Sequence, residues 1–119
     1  MGISTIHTVD CIFKTWRDRV NGNTYFGGFV IVNHCMEDEQ TITMPFQYGG
    51  EGMAEQTCWA ELWKLLGIAD QYHHARWLSN GKRLLPNGNE VIFRLIDRGR
   101  VAERELERWL KHSHRAFNG

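Results

Sequence analysis

The side chains best suited to chemistry in this chain are six histidines and three cysteines. His7, His34, His73, His74, His112 and His114 are scattered, and Cys11, Cys35 and Cys58 are widely spaced. A structural zinc site needs ligands close together in sequence, as in Cys-x2–4-Cys or His-x3–5-His. Neither spacing occurs, and His112 and His114 stand two apart on an expected helix, where they diverge. Nucleophilic catalysis needs a thiol or hydroxyl within reach of a base. His34 and Cys35 are adjacent, but neighbouring side chains in a strand or turn are expected to point apart, and no Gly-x-Ser-x-Gly elbow is present. The Gly49-Gly50-Glu51-Gly52 link leads into a helix but lacks the Gly-Lys-Ser/Thr ending of a phosphate loop. The expectation is therefore a protein with no catalytic residue, no metal and no cofactor. An enzyme assembled from residues distant in sequence is kept as a third reading.

What remains for function is recognition. The chain has five tryptophans. Trp59, Trp63 and Trp109 fall on apolar helix stripes and read as core. Trp16 and Trp77 are flanked by arginine and read as anchors, since Trp and Arg dominate interface hot spots. Trp16, Arg17, Tyr25 and Tyr48, with the acidic turn Glu37-Asp38-Glu39, form the expected partner-binding set. A second set, Arg76, Trp77, Lys82, Arg83, Arg98 and Arg100, interleaves basic and aromatic groups as single-stranded nucleic acid requires. It is held as the alternative because the pI is near 7, far from a strongly basic domain.

Net charge is zero, yet it is unevenly spread. Residues 1–75 carry four basic and nine acidic side chains, a net −5, and residues 76–119 carry ten basic and five acidic, a net +5. The two halves can neutralise one another across the fold, or leave a basic face for an anionic partner. An odd cysteine count argues against a secreted disulfide framework. No apolar run is long enough to span a bilayer, and the N-terminal residues lack a signal pattern. A cytoplasmic protein that does not bind membrane is expected.

These residues need a scaffold, and 119 residues suit one domain, 1–119. Strands are expected over 6–16, 24–33, 41–48 and 91–96, from alternating β-branched and aromatic residues. Asn21-Gly22 marks a hairpin. Gly27-Gly28 within the second strand marks a bulge or a close backbone approach. Pro45 places the third strand at an edge. Helices are expected over 53–66, 70–78 and 100–114, the first stopped by Gly67 and carrying Ala54, Cys58, Leu62 and Leu65 beside Trp59, Trp63 and Leu66. The last carries Ala102, Leu106, Trp109, Leu110 and Ser113. Residues 82–89 read as a loop. The fold class is α+β: a mostly antiparallel four-stranded sheet, in βββ-α-α-β-α order, with the helices packed on one face.

Three segments carry a resemblance: Lys14-Thr15-Trp16-Arg17-Asp18, Asn21-Gly22-Asn23-Thr24-Tyr25-Phe26 and Pro45-Phe46-Gln47-Tyr48-Gly49. They resemble a group of small phage and mobile-element proteins, in which an Asn-Thr/Ser-Tyr hairpin strand precedes a Phe-x-Tyr-Gly strand end and a helix. Leu95-Ile96-Asp97-Arg98-Gly99-Arg100 is similar to a later Asp/Arg-rich strand end in the group. Where that group has Tyr-Gly-Tyr-Gly, this chain has Tyr48-Gly49-Gly50-Glu51-Gly52. The resemblance implies a small accessory protein that binds a host protein or nucleoprotein complex and inhibits or modulates it. Blocking a CRISPR-type defence nuclease, as anti-CRISPR proteins do, is its most concrete form.

Overall fold

The computed structural model describes residues 5–69, 74–112 and 116. Its elements are β1 (Thr8–Asp18), β2 (Asn23–Val32), β3 (Gln40–Tyr48), α1 (Glu51–Leu66), β4 (Arg76–Ser79), β5 (Lys82–Leu84), β6 (Glu90–Arg100) and α2 (Glu103–Leu110). The class is α+β, as the patterning implies. The sheet has six strands in the order β3-β2-β1-β6-β5-β4 and is mixed. Two antiparallel meanders, β1–β2–β3 and β4–β5–β6, meet along a parallel β1/β6 pair that runs from Thr8↔Ile92 to Thr15↔Arg100.

The expected helix over 70–78 is corrected by this arrangement. Residues 76–79 are strand β4, and residues 70–73 lie outside the described residues. Asn80-Gly81 is the turn of a β4–β5 hairpin, and Gly81 takes the positive φ (77°) that such a turn demands. Part of the expected loop 82–89 is accordingly β5. The fourth expected strand extends to Arg100, which delays α2 to Glu103. Ser113 and His114, expected in that helix, lie outside the described residues.

The helices do not share a face. Alternation along β1 sends Val9, Cys11 and Phe13 to one side, where they pack with Ala54, Cys58, Trp59, Leu62 and Trp63 of α1. It sends Ile12 to the other, where Phe29 and Ile31 meet Leu106 and Trp109 of α2. Both faces of the first meander are thus covered, which explains why β1 and β2 each have an unbroken buried run. Trp59 stacks on Trp63 (centroids 5.6 Å apart) and meets Phe93 of β6 at 4.7 Å, so α1 ties the two meanders together. Burying each such indole stabilises the fold by about 3 kcal/mol or more on area grounds. Leu65, expected on the stripe, is part exposed, while Gly67 ends α1 in the left-handed conformation as expected.

Gly27 and Gly28 are required by close approach. A Cβ on Gly28 would lie 2.0 Å from the Ile12 carbonyl oxygen, and one on Gly27 would lie 2.6 Å from Leu110 of α2. The β2–β3 register also shifts between Phe26 and Gly28, opposite Pro45, whose missing N–H removes a ladder bond from this edge strand.

The seam holds two buried charged groups. Asp10 pairs with Arg94 across β1/β6, and the Arg94 Nε–H donates to Asp10 Oδ1, which pushes the Arg94 pKa further up. Asp10 is 1% exposed, and its Oδ2 makes no hydrogen bond among the described residues. Lys14, also buried, holds its ammonium 4.6 Å from the centroid of the Trp109 ring. Among the described residues no helix is long and apolar enough to cross a membrane.

Candidate partner-binding surface

Trp16, Tyr25 and Tyr48 are far apart in sequence, yet the register aligns them on adjacent strands: Trp16 opposite Tyr25, and Tyr25 opposite Tyr48. Cross-strand neighbours lie close enough for rings to touch. Trp16 stacks on Tyr25 at 5.4 Å and 30°, and Tyr48 meets Tyr25 edge-on at 5.8 Å and 78°. Phe46 completes the group, stacked on Tyr25 at 5.3 Å and 15° and tilted to Trp16 at 5.9 Å. Each such contact adds about 0.5–1.5 kcal/mol beyond area, so the group is preorganised. Trp16 and Phe46 rest on the core beneath α2, whereas Tyr48 is 66% exposed.

Sequence reasoning missed Phe46. The signal was present, because Phe46 and Tyr48 are two apart on a strand and share a face.

A cleft of about 460 Å³ opens beside Trp16, between the β1–β2 hairpin and the β6–α2 junction. Arg17, Arg19 and Arg100 line it, with Glu105 of α2 the acidic member. All three arginines are exposed, and none has a carboxylate partner among the described residues. The hairpin is stiff. Asp18 Oδ2 accepts the Asn21 side-chain amide at 2.8 Å, which chiefly holds the Asp18 pKa below the usual carboxylate value, and Asp18 Oδ1 accepts the Val20 N–H at 3.0 Å, which adds to the effect. The Val101 N–H donates to the Thr15 carbonyl at 2.8 Å and fixes the other wall.

The acidic turn Glu37-Asp38-Glu39 lies at the opposite end of the strands. Tyr25 and Val32 bracket most of β2, which at 3.3 Å per residue separates the two ends by roughly 23 Å. Two of its carboxylates are engaged within the turn: Asp38 Oδ1 accepts the Asn33 side-chain amide at 3.1 Å, and Glu39 Oε2 accepts the Cys35 N–H at 2.9 Å. The partner-binding set expected from sequence therefore divides into an aromatic-arginine end and a distant acidic turn.

The alternative basic set divides as well. Arg76, Trp77, Lys82 and Arg83 belong to the β4–β5 hairpin, with Trp77 opposite Arg83 and 61% exposed. Arg83 sits over the Phe93 ring at 5.2 Å and donates to the Lys82 carbonyl at 3.0 Å, so it has a structural task. Arg98 and Arg100 are on β6, and only Arg100 of this set lines the aromatic cleft. Among the described residues no group of three or more His, Cys, Asp or Glu side chains is arranged to hold a metal ion.

No protein-family model matches the chain, and neither a curated protein nor a solved structure is significantly similar to it.

Proposed function

We propose that this chain is a small binding protein that inhibits or modulates a host protein complex, engaging it through the Trp16–Tyr25–Phe46–Tyr48 surface and the adjoining arginine cleft. One observation carries the reading: four rings from three strands, in mutual contact, stand beside three arginines that have no carboxylate partner among the described residues. Rigid aromatics lose little entropy on binding, and unpaired guanidiniums are open to carboxylates on a partner. The phage-type origin implied by the three resembling segments gives the inhibitory role, and a CRISPR-type nuclease complex is the target class to try first.

Direct nucleic-acid binding is the second reading, favoured by the same three arginines beside Trp16, because guanidiniums and an indole suit phosphates and stacked bases. One experiment separates them. The tagged protein is used to capture partners from bacterial lysate with and without nuclease, alongside Tyr48→Ala and Arg17→Glu/Arg19→Glu variants. A stoichiometric protein partner that survives nuclease and is lost with both variants supports the first reading. Recovery of nucleic acid alone, with affinity falling steeply as salt rises, replaces it with the second.

A further inference from the structure

β1 outlasts its parallel partner. Successive residues of a strand direct their peptide groups to opposite neighbours. In β1 the odd-numbered residues face β6: the His7 carbonyl, just before the strand, accepts the Ile92 N–H at 3.0 Å, and the Thr15 carbonyl accepts the Val101 N–H at 2.8 Å. The even-numbered residues face β2, where the Thr8 carbonyl accepts the Asn33 N–H at 3.0 Å and the Asp18 carbonyl accepts the Gly22 N–H at 2.7 Å. Arg17 is the next odd residue. β6 pairs no further than Thr15↔Arg100, and the chain then turns off through Val101 and Ala102 into α2. The Arg17 peptide group is therefore aimed past the end of β6, and among the described residues no main-chain group meets it there.

Side chains sort about this open edge by alternation. Thr15 and Arg17 project to one face of the sheet, and Arg100, paired with Thr15, projects to the same face. Trp16 projects to the other, against the core beneath α2, the helix that carries Glu105. Arg19 joins from the hairpin turn. The cleft of about 460 Å³ thus wraps a strand edge, with guanidiniums on one side and an indole on the other. Glu105 is within electrostatic reach of the buried Lys14 ammonium, which offsets its charge.

We infer that the cleft receives an extended segment of a partner polypeptide, laid along Arg17 as β6 is laid along Thr15, in which acidic side chains alternate with apolar ones. The segment's peptide groups bond the Arg17 N–H and carbonyl, its carboxylates pair with Arg17, Arg19 and Arg100, and its apolar side chains pack on Trp16. Strand addition of this kind takes affinity from the main chain and specificity from alternate side chains. Single-stranded nucleic acid would use the arginines and the indole but has no peptide group to offer the open edge. The inference names the partner chemistry of the surface proposed above and rests on that reading for the surface's role.

The test measures binding of short fluorescein-labelled peptides to the purified full chain by fluorescence anisotropy. A peptide of alternating glutamate and valine should bind, more weakly as salt rises. A peptide of the same composition with its glutamates in adjacent pairs should bind at least about fivefold more weakly, because half its carboxylates leave the arginine face. N-methylation of the alternating peptide, at its valines in one version and its glutamates in another, should weaken one version by about tenfold, since only one set of N–H groups meets β1. The Arg17 amide should exchange its hydrogen more slowly when the alternating peptide is bound, a change that charge attraction alone does not produce. Arg17→Ala/Arg19→Ala should weaken binding by about tenfold or more while keeping the unfolding midpoint of the parent. Equal binding of the alternating and paired peptides overturns the inference, as does indifference to both N-methylations. So does binding of oligothymidylate with no binding of any peptide. A host protein captured by the parent and lost with Tyr48→Ala, with no peptide bound, overturns this inference and leaves the reading above standing. Peptide binding as described, with no host protein captured, upholds the inference while that reading fails.

Discussion

β1–β2–β3 and β4–β5–β6 follow one plan, three antiparallel strands in sequence order, but they use it differently. The first has strands of 11, 10 and 9 residues, with a helix against each face. The second has strands of 4, 3 and 11 residues, and its side chains are largely exposed, Trp77 and Ile92 among them. Burial on both faces makes the first meander intolerant of added volume. The second draws its order from the seam and from the Trp59–Phe93 contact. Stability and surface chemistry are therefore separable: substitutions at exposed positions of the β4–β5 hairpin can vary chemistry at little expense to the fold, whereas the centre of β2 has no room for added volume.

The same substitution in each meander breaks or upholds this contrast. Gly28→Ala forces a methyl onto the Ile12 carbonyl and should destabilise by about 3 kcal/mol or more, read as a drop in the denaturant midpoint. The seam comes next. Arg94→Met leaves Asp10 buried without its partner and should cost about 1–2 kcal/mol, discounted because Arg94 is itself half exposed, while Asp10→Asn/Arg94→Met should recover most of the loss. Gly81→Ala meets no atom and suffers only from its positive φ, so about 1 kcal/mol is expected in the same denaturation assay. A Gly81→Ala loss as large as that of Gly28→Ala would erase the contrast.

The smallest effect is pH-dependent. Burial lowers the Lys14 pKa from its ordinary 10.5, with Glu105 opposing and Arg98 reinforcing the shift. The folded state therefore holds this proton less tightly than the unfolded state. Its penalty is present below the folded pKa and disappears as pH rises through that value toward 10.5. Relative to Lys14→Met, the parent protein should gain under about 1 kcal/mol between neutral and alkaline pH. No gain, or a loss, would show that the ammonium is not desolvated under α2.

Much of this was legible in the sequence. The first meander could be read because its strands are long, alternate clearly and are punctuated by Asn-Gly and Pro. The tryptophan division held at Trp59, Trp63 and Trp109, whose helical stripes leave one way to pack. The second meander was misread because β4 and β5 are too short to show a period, and a helix over 70–78 took in the residues of β4. Asn80-Gly81 was as strong a hairpin signal as Asn21-Gly22, but had no alternating strands beside it. A four-strand reading could not foresee the parallel seam, since pairing between chain-distant strands leaves no local trace. The expectation that His34 and Cys35 point apart failed for a different reason: Cys35 Sγ lies 3.2 Å from His34 Nε2 in a turn with left-handed backbone at Asn33 and Cys35, and only asparagine advertises such a conformation.

The parallel seam also sets an order of assembly. β1 and β2 pair through a short turn, so their ladder forms early and cheaply. β6 reaches β1 only after a loop that spans most of the chain has closed, and long closures are slow. Synthesis proceeds from the N-terminus, so β1 leaves the ribosome with its β2 partner close behind and its other edge bare until β6 follows. During that interval an apolar strand with unpaired peptide groups is open to pairing with a second chain. Asp10 and Lys14 both sit on that waiting edge. A charge pointing inward from an unfinished sheet discourages the wrong neighbour, and Arg94, arriving on β6, supplies the counter-charge that only the right neighbour carries.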